Sequence, residues 1–342
     1  MNSSDGLTLL NHPERIPLMW GSTPLHGLAR LGGALGLDLS VKRDDLTGSH
    51  LSGNKVRKLE YLLAEALAAG ATHVVTCGGV QSNHCRAVAM AAAPLGLSPV
   101  LLLRTSCGTA RGLPQPPTGN VLLARLAGAR IETISPEGYR ARASVMASFA
   151  DEIRASGGVP YLIPEGGSNA LGSWGYIRCA RELLAQSTVA PDTVVVATGS
   201  GGTLAGLALG FETLGVSTRV VGIAVCDDRA YFRGIVDRIA EEAASRWGLA
   251  KPSSTRYEVD DRFVGRGYAR TTAEELAFLR DAVREDGLVL DPVYSNKALR
   301  GLVQAVRAEP ATFGRRVVFI HTGGIFGLFP AAEALSAVLE EV

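Results

Sequence analysis

The residues with the clearest chemical potential in this chain are Thr198-Gly-Ser-Gly-Gly-Thr203. They follow the apolar run Val194–Ala197 and precede a helical stretch, so a strand enters a glycine-rich turn that opens a helix. Glycines let the backbone turn tightly, and several N–H groups at the helix start can converge on an anion. The pattern suits a phosphate. It lacks the Lys-Ser/Thr of a Walker loop, and no acidic residue suited to a ribose follows the next strand. A small monophosphate therefore fits it, and a tight turn without a ligand is the plainer alternative. Lys55, within Ser52-Gly-Asn-Lys-Val-Arg-Lys-Leu59, stands at another helix start. There the positive end of the dipole disfavours the ammonium form, and a neutral amine can form an imine with an aldehyde cofactor. Lys58, one turn on, faces the same side and could reach a phosphate, although basic residues at helix starts are usually solvated.

In Cys77-Gly-Gly-Val-Gln-Ser-Asn-His84 a strand again runs into glycines and then into a helix capped by small polar residues. Ser82, Asn83 and the local amides make a carboxylate cradle, whereas His84 taken alone reads as a satisfied, partly buried histidine. Two late segments, Asp291-Pro-Val-Tyr-Ser295 and His321-Thr-Gly-Gly324, read by themselves as packing and as a turn.

The elements that must position these groups alternate along the chain. Helical spacing covers Leu59–Ala69, Arg86–Leu95, Val121–Ala127, Tyr139–Ser156, Ala170–Gln186, Thr203–Leu214, Ala230–Arg246, Thr272–Glu285, Lys297–Ala308 and Ile325–Leu339. Short apolar runs predict strands at Thr72–Thr76, Ser98–Leu103, Arg130–Thr133, Val159–Ile163, Thr193–Ala197, Arg219–Val225 and Arg316–Ile320. A Gly/Pro-rich loop spans Thr105–Asn120, and Lys251–Glu258 is polar with weak periodicity. Strands alternating with helices imply an α/β protein with parallel sheets and right-handed crossovers. The two runs meet at Pro164–Asn169. They predict a small domain over 51–167 inserted into a large one made of 1–50 and 168–342, with the ligand in the cleft between them.

Composition narrows the function classes. The 342 residues are 46% hydrophobic, enough for a real core, and carry 34 basic against 33 acidic side chains. That balance gives no electrostatic case for nucleic acid or an anionic membrane. No apolar stretch reaches about 18 residues, and Met1–Leu10 lacks the regions of a signal peptide. The five dispersed cysteines form no Cys-x-x-Cys pair, so neither a disulfide framework nor a zinc site is expected. The expectation is a soluble cytoplasmic protein without a metal.

Taken together and in order, Arg43-Asp-Asp45, Ser52–Leu59, Gln81-Ser-Asn-His84, Pro164-Glu-Gly-Gly-Ser-Asn169, Thr198–Thr203, Leu290-Asp-Pro-Val-Tyr294 and His321–Gly324 resemble the D-cysteine desulfhydrase / 1-aminocyclopropane-1-carboxylate deaminase family. These are fold-type II pyridoxal-phosphate enzymes of the tryptophan synthase β kind, and the resemblance runs from about Pro24 to Pro330. It implies that Lys55 is the Schiff-base lysine, and that Lys58 with Thr198, Gly199, Ser200, Gly201, Gly202 and Thr203 holds the cofactor phosphate. It implies further that Asn83 meets the ring hydroxyl, and that Gln81, Ser82, Asn83 and His84 receive the substrate carboxylate. Tyr268 and Tyr294 would flank the substrate and the ring, and Thr322 and Ser295 would offer hydroxyls to the pyridine nitrogen.

The chain departs from its relatives after Tyr294. Ring-opening members carry Glu there and the desulfhydrases Thr-Gly, where this chain has Ser295-Asn296. A hydroxyl cannot keep the pyridine nitrogen protonated as a carboxylate does. The expected activity is therefore a deaminating β-elimination from a small D-cysteine-like amino acid, giving a 2-oxo acid, ammonia and sulfide or a similar leaving group. Lys55 or Ser82 would remove the α-proton, and the protein would be a homodimer. Ring-opening deamination, sulfite loss from cysteate and β-replacement are the alternatives on the same cofactor, and a pyridoxal-phosphate carrier without turnover is the non-enzymatic one.

Overall fold

The computed structural model describes residues 12–340, so Met1–Leu10 lies outside the described residues. Strands are numbered β1 (Leu25–Gly27), β2 (Asp38–Lys42), β3 (His73–Gly79), β4 (Ser98–Arg104), β5 (Arg130–Ile134), β6 (Pro160–Leu162), β7 (Thr193–Thr198), β8 (Arg219–Ala224), β9 (Tyr257–Asp260) and β10 (Arg316–Ile320). They form a four-stranded parallel sheet, β5-β4-β3-β6, and a six-stranded sheet, β1-β2-β10-β7-β8-β9, parallel except for the pair β1/β2. The α/β class and the parallel sheets read from the sequence are present.

The β7 sequence shows why its sheet is central. Val194, Val195 and Val196 are all fully buried, as a strand covered by helices on both faces requires. Val194 and Val196 pack in the core beneath the helices Ala170–Gln186 and Gly202–Thr213. Val195 and Ala197 face Ala298, Leu299 and Leu302 of the helix Ser295–Ala308. The helix Lys55–Ala68 packs against Ala170–Gln186 at very close range. A Cβ on Gly175 would come within 2.4 Å of the Arg57 carbonyl oxygen, and one on Gly206 within 2.5 Å of that of Ser173. Glycine at these positions lets three helices stack with their backbones nearly touching.

Several elements differ from the sequence expectation. The edge strands β1 and β9, and β2 between β1 and β10, form where no strand was read. The expected helix Tyr139–Ser156 is two helices, Pro136–Arg140 and Arg142–Ala155, interrupted at Ala141. The final helix begins only at Ala332, because Gly324, Gly327 and Pro330 break the stretch before it into short 3₁₀ turns. Helices at the site start earlier than read, at Lys55, Asn83, Gly202 and Ser295, which brings their first turns to the carboxyl ends of the strands.

Candidate active site

A cavity opens where β3, β7 and β10 end. Open parallel sheets place ligands at this edge. Lys55, Ser82, Asn83, His84, Thr198, Gly199, Ser200, Gly201, Thr203, Tyr268, Tyr294 and Thr322 all line it. Residues more than 250 positions apart in sequence thus meet in one place.

Lys55 is the first residue of its helix. Its side chain is deep in the protein, and its remaining exposed surface faces the cavity. Burial pushes its amine down to about 8, and the charges of Glu165 and Asp291 only partly offset this. Desolvation, not the helix dipole, is the leading cause. The residue before it ties three motifs together. The Asn54 backbone N–H donates to the Thr322 carbonyl at 3.1 Å, and Asn54 Nδ2 donates to Thr203 Oγ1 at 3.1 Å.

The glycine turn is shaped by its neighbours as well as by its own residues. Gly201 has φ +76°, a left-handed conformation open to glycine, and a Cβ there would lie 2.6 Å from Ile235 Cγ2. The Gly202 N–H donates to Ser168 Oγ at 3.2 Å, and Ser168 Oγ donates to Ser200 Oγ at 2.9 Å. Lys58 Nζ donates to the Gly166 carbonyl at 3.1 Å and to Ser168 Oγ at 3.3 Å. Lys58 is fully buried, and burial and the nearby Lys55 hold its amine well below the usual range. Lys58 and Gly202 therefore stand one layer behind the cavity wall, linked to the turn through Ser168, which the sequence reading quoted in a motif but gave no role.

Ser82 caps the helix Asn83–Ala92, its Oγ accepting from the Cys85 N–H at 3.2 Å. Gly78 makes room for it, since a Cβ there would meet Ser82 Oγ at 2.5 Å. His84 has its ring tied down. Thr76 Oγ1 donates to the Ile163 carbonyl at 2.8 Å and so accepts from His84 Nε2 at 2.9 Å. Burial and the charges of Lys55 and Lys58 keep this imidazole neutral. Gln81 is placed differently from the expectation. Its Nε2 donates to the Thr118 carbonyl at 3.1 Å and its Oε1 accepts from the Asn120 N–H at 2.8 Å. The side chain thus fastens the 118–120 turn and does not line the cavity. Asn120 Nδ2 in turn donates to Asn83 Oδ1 at 3.0 Å, orienting Asn83.

Tyr268 and Tyr294 meet edge to face, with hydroxyl oxygens 2.8 Å apart. Gly79 and Gly199 allow this. A Cβ on Gly79 would lie 3.1 Å from Tyr268 Cε1, and one on Gly199 2.9 Å from Tyr294 Cε1. Burial raises Tyr268 to about 12 and Tyr294 well above the ordinary phenol value, so both stay protonated. Ser295 lies outside the cavity. Its hydroxyl donates to Asp291 Oδ1 at 2.6 Å and accepts from the Asp291 N–H at 2.8 Å, and it is fully buried. Thr322 alone of the two expected hydroxyls lines the cavity. Glu165, quoted in a motif but given no role, also lines it. Its carboxylate accepts from the Tyr139 hydroxyl at 2.5 Å and pairs with Arg142 Nε at 3.0 Å. No cluster of metal-ligating side chains occurs among the described residues.

A deprotonatable lysine, a glycine turn at a helix start and a hydroxyl across the cavity suit an aldehyde cofactor carrying a phosphate. Glycine at 78, 79 and 199 lets Ser82, Tyr268 and Tyr294 close in as walls of the cavity that Lys55 and Thr322 also line. The chain belongs to the family described as pyridoxal-phosphate dependent enzymes, which it matches over residues 16–323. It is thus a pyridoxal-phosphate-dependent enzyme of fold type II. Among characterised relatives it is 42% identical to a mitochondrial bifunctional D-cysteine desulfhydrase/1-aminocyclopropane-1-carboxylate deaminase of Arabidopsis thaliana, over 93% of this chain and 80% of that one. It is 40% identical to a D-cysteine desulfhydrase of Yersinia enterocolitica, over 92% and 95%. The solved structure of a homologue of 1-aminocyclopropane-1-carboxylate deaminase superposes with a TM-score of 0.89 at 36% identity, covering 99% of this chain and all of that one.

Proposed function

We propose that this enzyme catalyses β-elimination from a small polar amino acid, with D-cysteine or a close analogue preferred, releasing sulfide and yielding a 2-oxo acid and ammonia. The observation that carries the reading is the meeting, in one cavity, of the Lys55 amine with the Ser82–Asn83 helix start and the Tyr268–Tyr294 pair. The relatives named for D-cysteine desulfhydration support the substrate class.

Lys55 Nζ would hold the cofactor, with the Thr198–Thr203 turn at its phosphate and Thr322 facing its ring nitrogen. When bound, pyridoxal phosphate supplies the electron sink for the charge left on the α-carbon. Ser82 and the N–H groups beside it orient the substrate carboxylate at the positive end of the helix Asn83–Ala92. The Lys55 amine, near neutrality because of its burial, takes the α-proton at Nζ. The paired phenols hold protons for the departing β-group. Ser295, turned back on Asp291, would bring no carboxylate to the ring nitrogen, which would favour substrates with a good leaving group over ring opening. Incubating the holoenzyme with D-cysteine, L-cysteine, cysteate and 1-aminocyclopropane-1-carboxylate, with keto acid and sulfide assayed, tests the reading. Ring opening as fast as D-cysteine elimination overturns it.

The same reading takes 51–167 as one domain and 1–50 with 168–342 as the other, each around one sheet. It also takes the enzyme as a cytoplasmic homodimer. The cysteines among the described residues are all unpaired, which suits a reducing compartment. Light scattering on the purified protein decides the dimer.

A further inference from the structure

Tyr268 is carried by the segment 261–272, which joins β9 to the helix Ala273–Asp286 and has no regular secondary structure. Its backbone includes Gly265 at φ +62°, Gly267 at φ +99° and Ala269 at φ +55°. An alanine holds a left-handed conformation only when its surroundings impose it. The Arg229 N–H donates to Asp261 Oδ2 at 2.8 Å and Arg104 stacks 5.3 Å over the Tyr268 ring, and the other restraints come from one piece of chain, the turn and helix that also bear Tyr294. Phe263 lies against Gly301, where a Cβ would come within 2.9 Å of the ring. Thr271 Oγ1 donates to the Pro292 carbonyl at 3.3 Å. Lys297 Nζ donates to the carbonyls of Val264 at 2.9 Å and Gly267 at 2.8 Å.

Lys297 is 2% exposed and does not line the cavity. Burying an ammonium is unfavourable unless its donors are used, and here two of them are used on the loop just before Tyr268. We infer that Lys297 is a positioning residue that acts through Tyr268. By fixing the Val264 and Gly267 carbonyls it keeps the Tyr268 ring over Gly79 and its hydroxyl on that of Tyr294. Without it the segment relaxes, Tyr268 leaves the cavity wall, and the phenol pair is broken.

The kinetic arm of the test rests on the proposed elimination, and a proteolytic arm does not. In the holoenzyme, Lys297→Met lowers kcat/KM for D-cysteine about tenfold or more, as displacement of a group at the reacting centre does. In a Tyr268→Phe background the same change costs less than about twofold further, because coupled residues are non-additive. Arg266 and Arg270 are exposed on either side of Tyr268, so trypsin cleaves there at least about fivefold faster in Lys297→Met than in the wild type when the segment is released. Lys297→Gln, which keeps one donor group, gives smaller changes in the same directions and serves if the Met variant does not fold. Losses that multiply in the two backgrounds, or unchanged cleavage beside a lowered melting temperature, would show that Lys297 merely packs the helix and overturn the inference. A wild-type enzyme inert toward every amino acid would sink the proposed function, and the cleavage rates would still decide the role of Lys297.

Discussion

Lys55 shows how one residue's surroundings set its chemistry. Its amine titrates at about 8 because burial disfavours the ammonium, against 10.5 for an ordinary lysine. The neutral, nucleophilic form therefore grows as pH rises, is half of the total near pH 8 and is nearly complete by about pH 9. Covalent attachment of pyridoxal phosphate to the apoprotein should speed up about tenfold between pH 6 and 7 and level off above about pH 9. Borohydride trapping at timed intervals checks this, and peptide mapping should find the label on Lys55 and none in Lys55→Ala. A plateau only above pH 10 would mean that burial does not tune this amine. The place of Lys55 at a helix start was legible because the surrounding motif is contiguous. The orientations of Gln81 and Ser295 were not, since they depend on partners that the sequence does not point to. Gln81 is drawn to the 118–120 turn. Ser295 turns back on Asp291, whose carboxylate also accepts from three backbone N–H groups. Ser295→Ala should leave the Asp291 N–H unpaired and destabilise the fold by about 1–3 kcal/mol. The measurement is the melting temperature, with cofactor attachment retained. A variant that loses the cofactor at unchanged stability would return Ser295 to the ring nitrogen.

At the scale of elements, the glycine turn separates two effects that look alike in sequence. Position 202 backs onto Ser168, which a Cβ would meet at 2.6 Å, and Ser168 carries the contact to Lys58. Gly202→Ala should therefore weaken pyridoxal phosphate binding about tenfold or more by displacing the groups behind the turn proposed to hold the phosphate. Position 201 backs onto Ile235 and has a left-handed backbone. Gly201→Ala should lower the stability of apo and cofactor-saturated protein alike, by about 1–3 kcal/mol. Cofactor titration and melting of both forms check the pair, and the reverse assignment would exchange the roles of the two glycines. The central elements were readable because β7 is three consecutive valines and Ala170–Gln186 has uninterrupted helical spacing. β1, β2 and β9 were not. β1 is three residues long. β2, Asp-Leu-Ser-Val-Lys, and β9, Tyr-Glu-Val-Asp, do alternate polar and apolar residues, but over only five and four positions. Their places are fixed by pairing, β2 with β1 and β10 and β9 with β8. An alternation this short is a weak signal beside the continuous apolar run of β7.

Across the whole molecule, the Lys55 helix is held by a buried charge network. Arg57 Nη2 lies 2.7 Å from Asp44 Oδ1, and Arg57 Nη1 lies 2.9 Å from Glu182 Oε2. Lys42 Nζ lies 2.5 Å from Glu182 Oε1, and the Tyr176 hydroxyl donates to Asp44 Oδ2 at 2.5 Å. The network joins the end of β2, the turn after it, the Lys55–Ala68 helix and the Ala170–Gln186 helix. Two residues after Lys55, it fixes the rotation that sends Nζ into the cavity. Removing one partner from such a buried set leaves a charge uncompensated and costs about 3–5 kcal/mol. Arg57→Met should therefore be among the most damaging substitutions outside the site, read as a fall in melting temperature. The acid limb of stability tests the same idea. Burial by itself would raise Asp44 and Glu182, but Arg57 and Lys42, with Tyr176 on Asp44, outweigh it and hold both carboxyls below their ordinary values of 3.8 and 4.5. A carboxyl lowered by folding adds stability above its unfolded value and loses it as pH falls through the folded one. The melting temperature should thus drop below about pH 4.5, and the Asp44→Asn variant, already destabilised at pH 7, should drop less over the same interval. Parallel acid limbs in the two proteins would mean that Asp44 contributes nothing to acid unfolding, and that the charge on the Asp44 side of Arg57 does not hold the Lys55 helix.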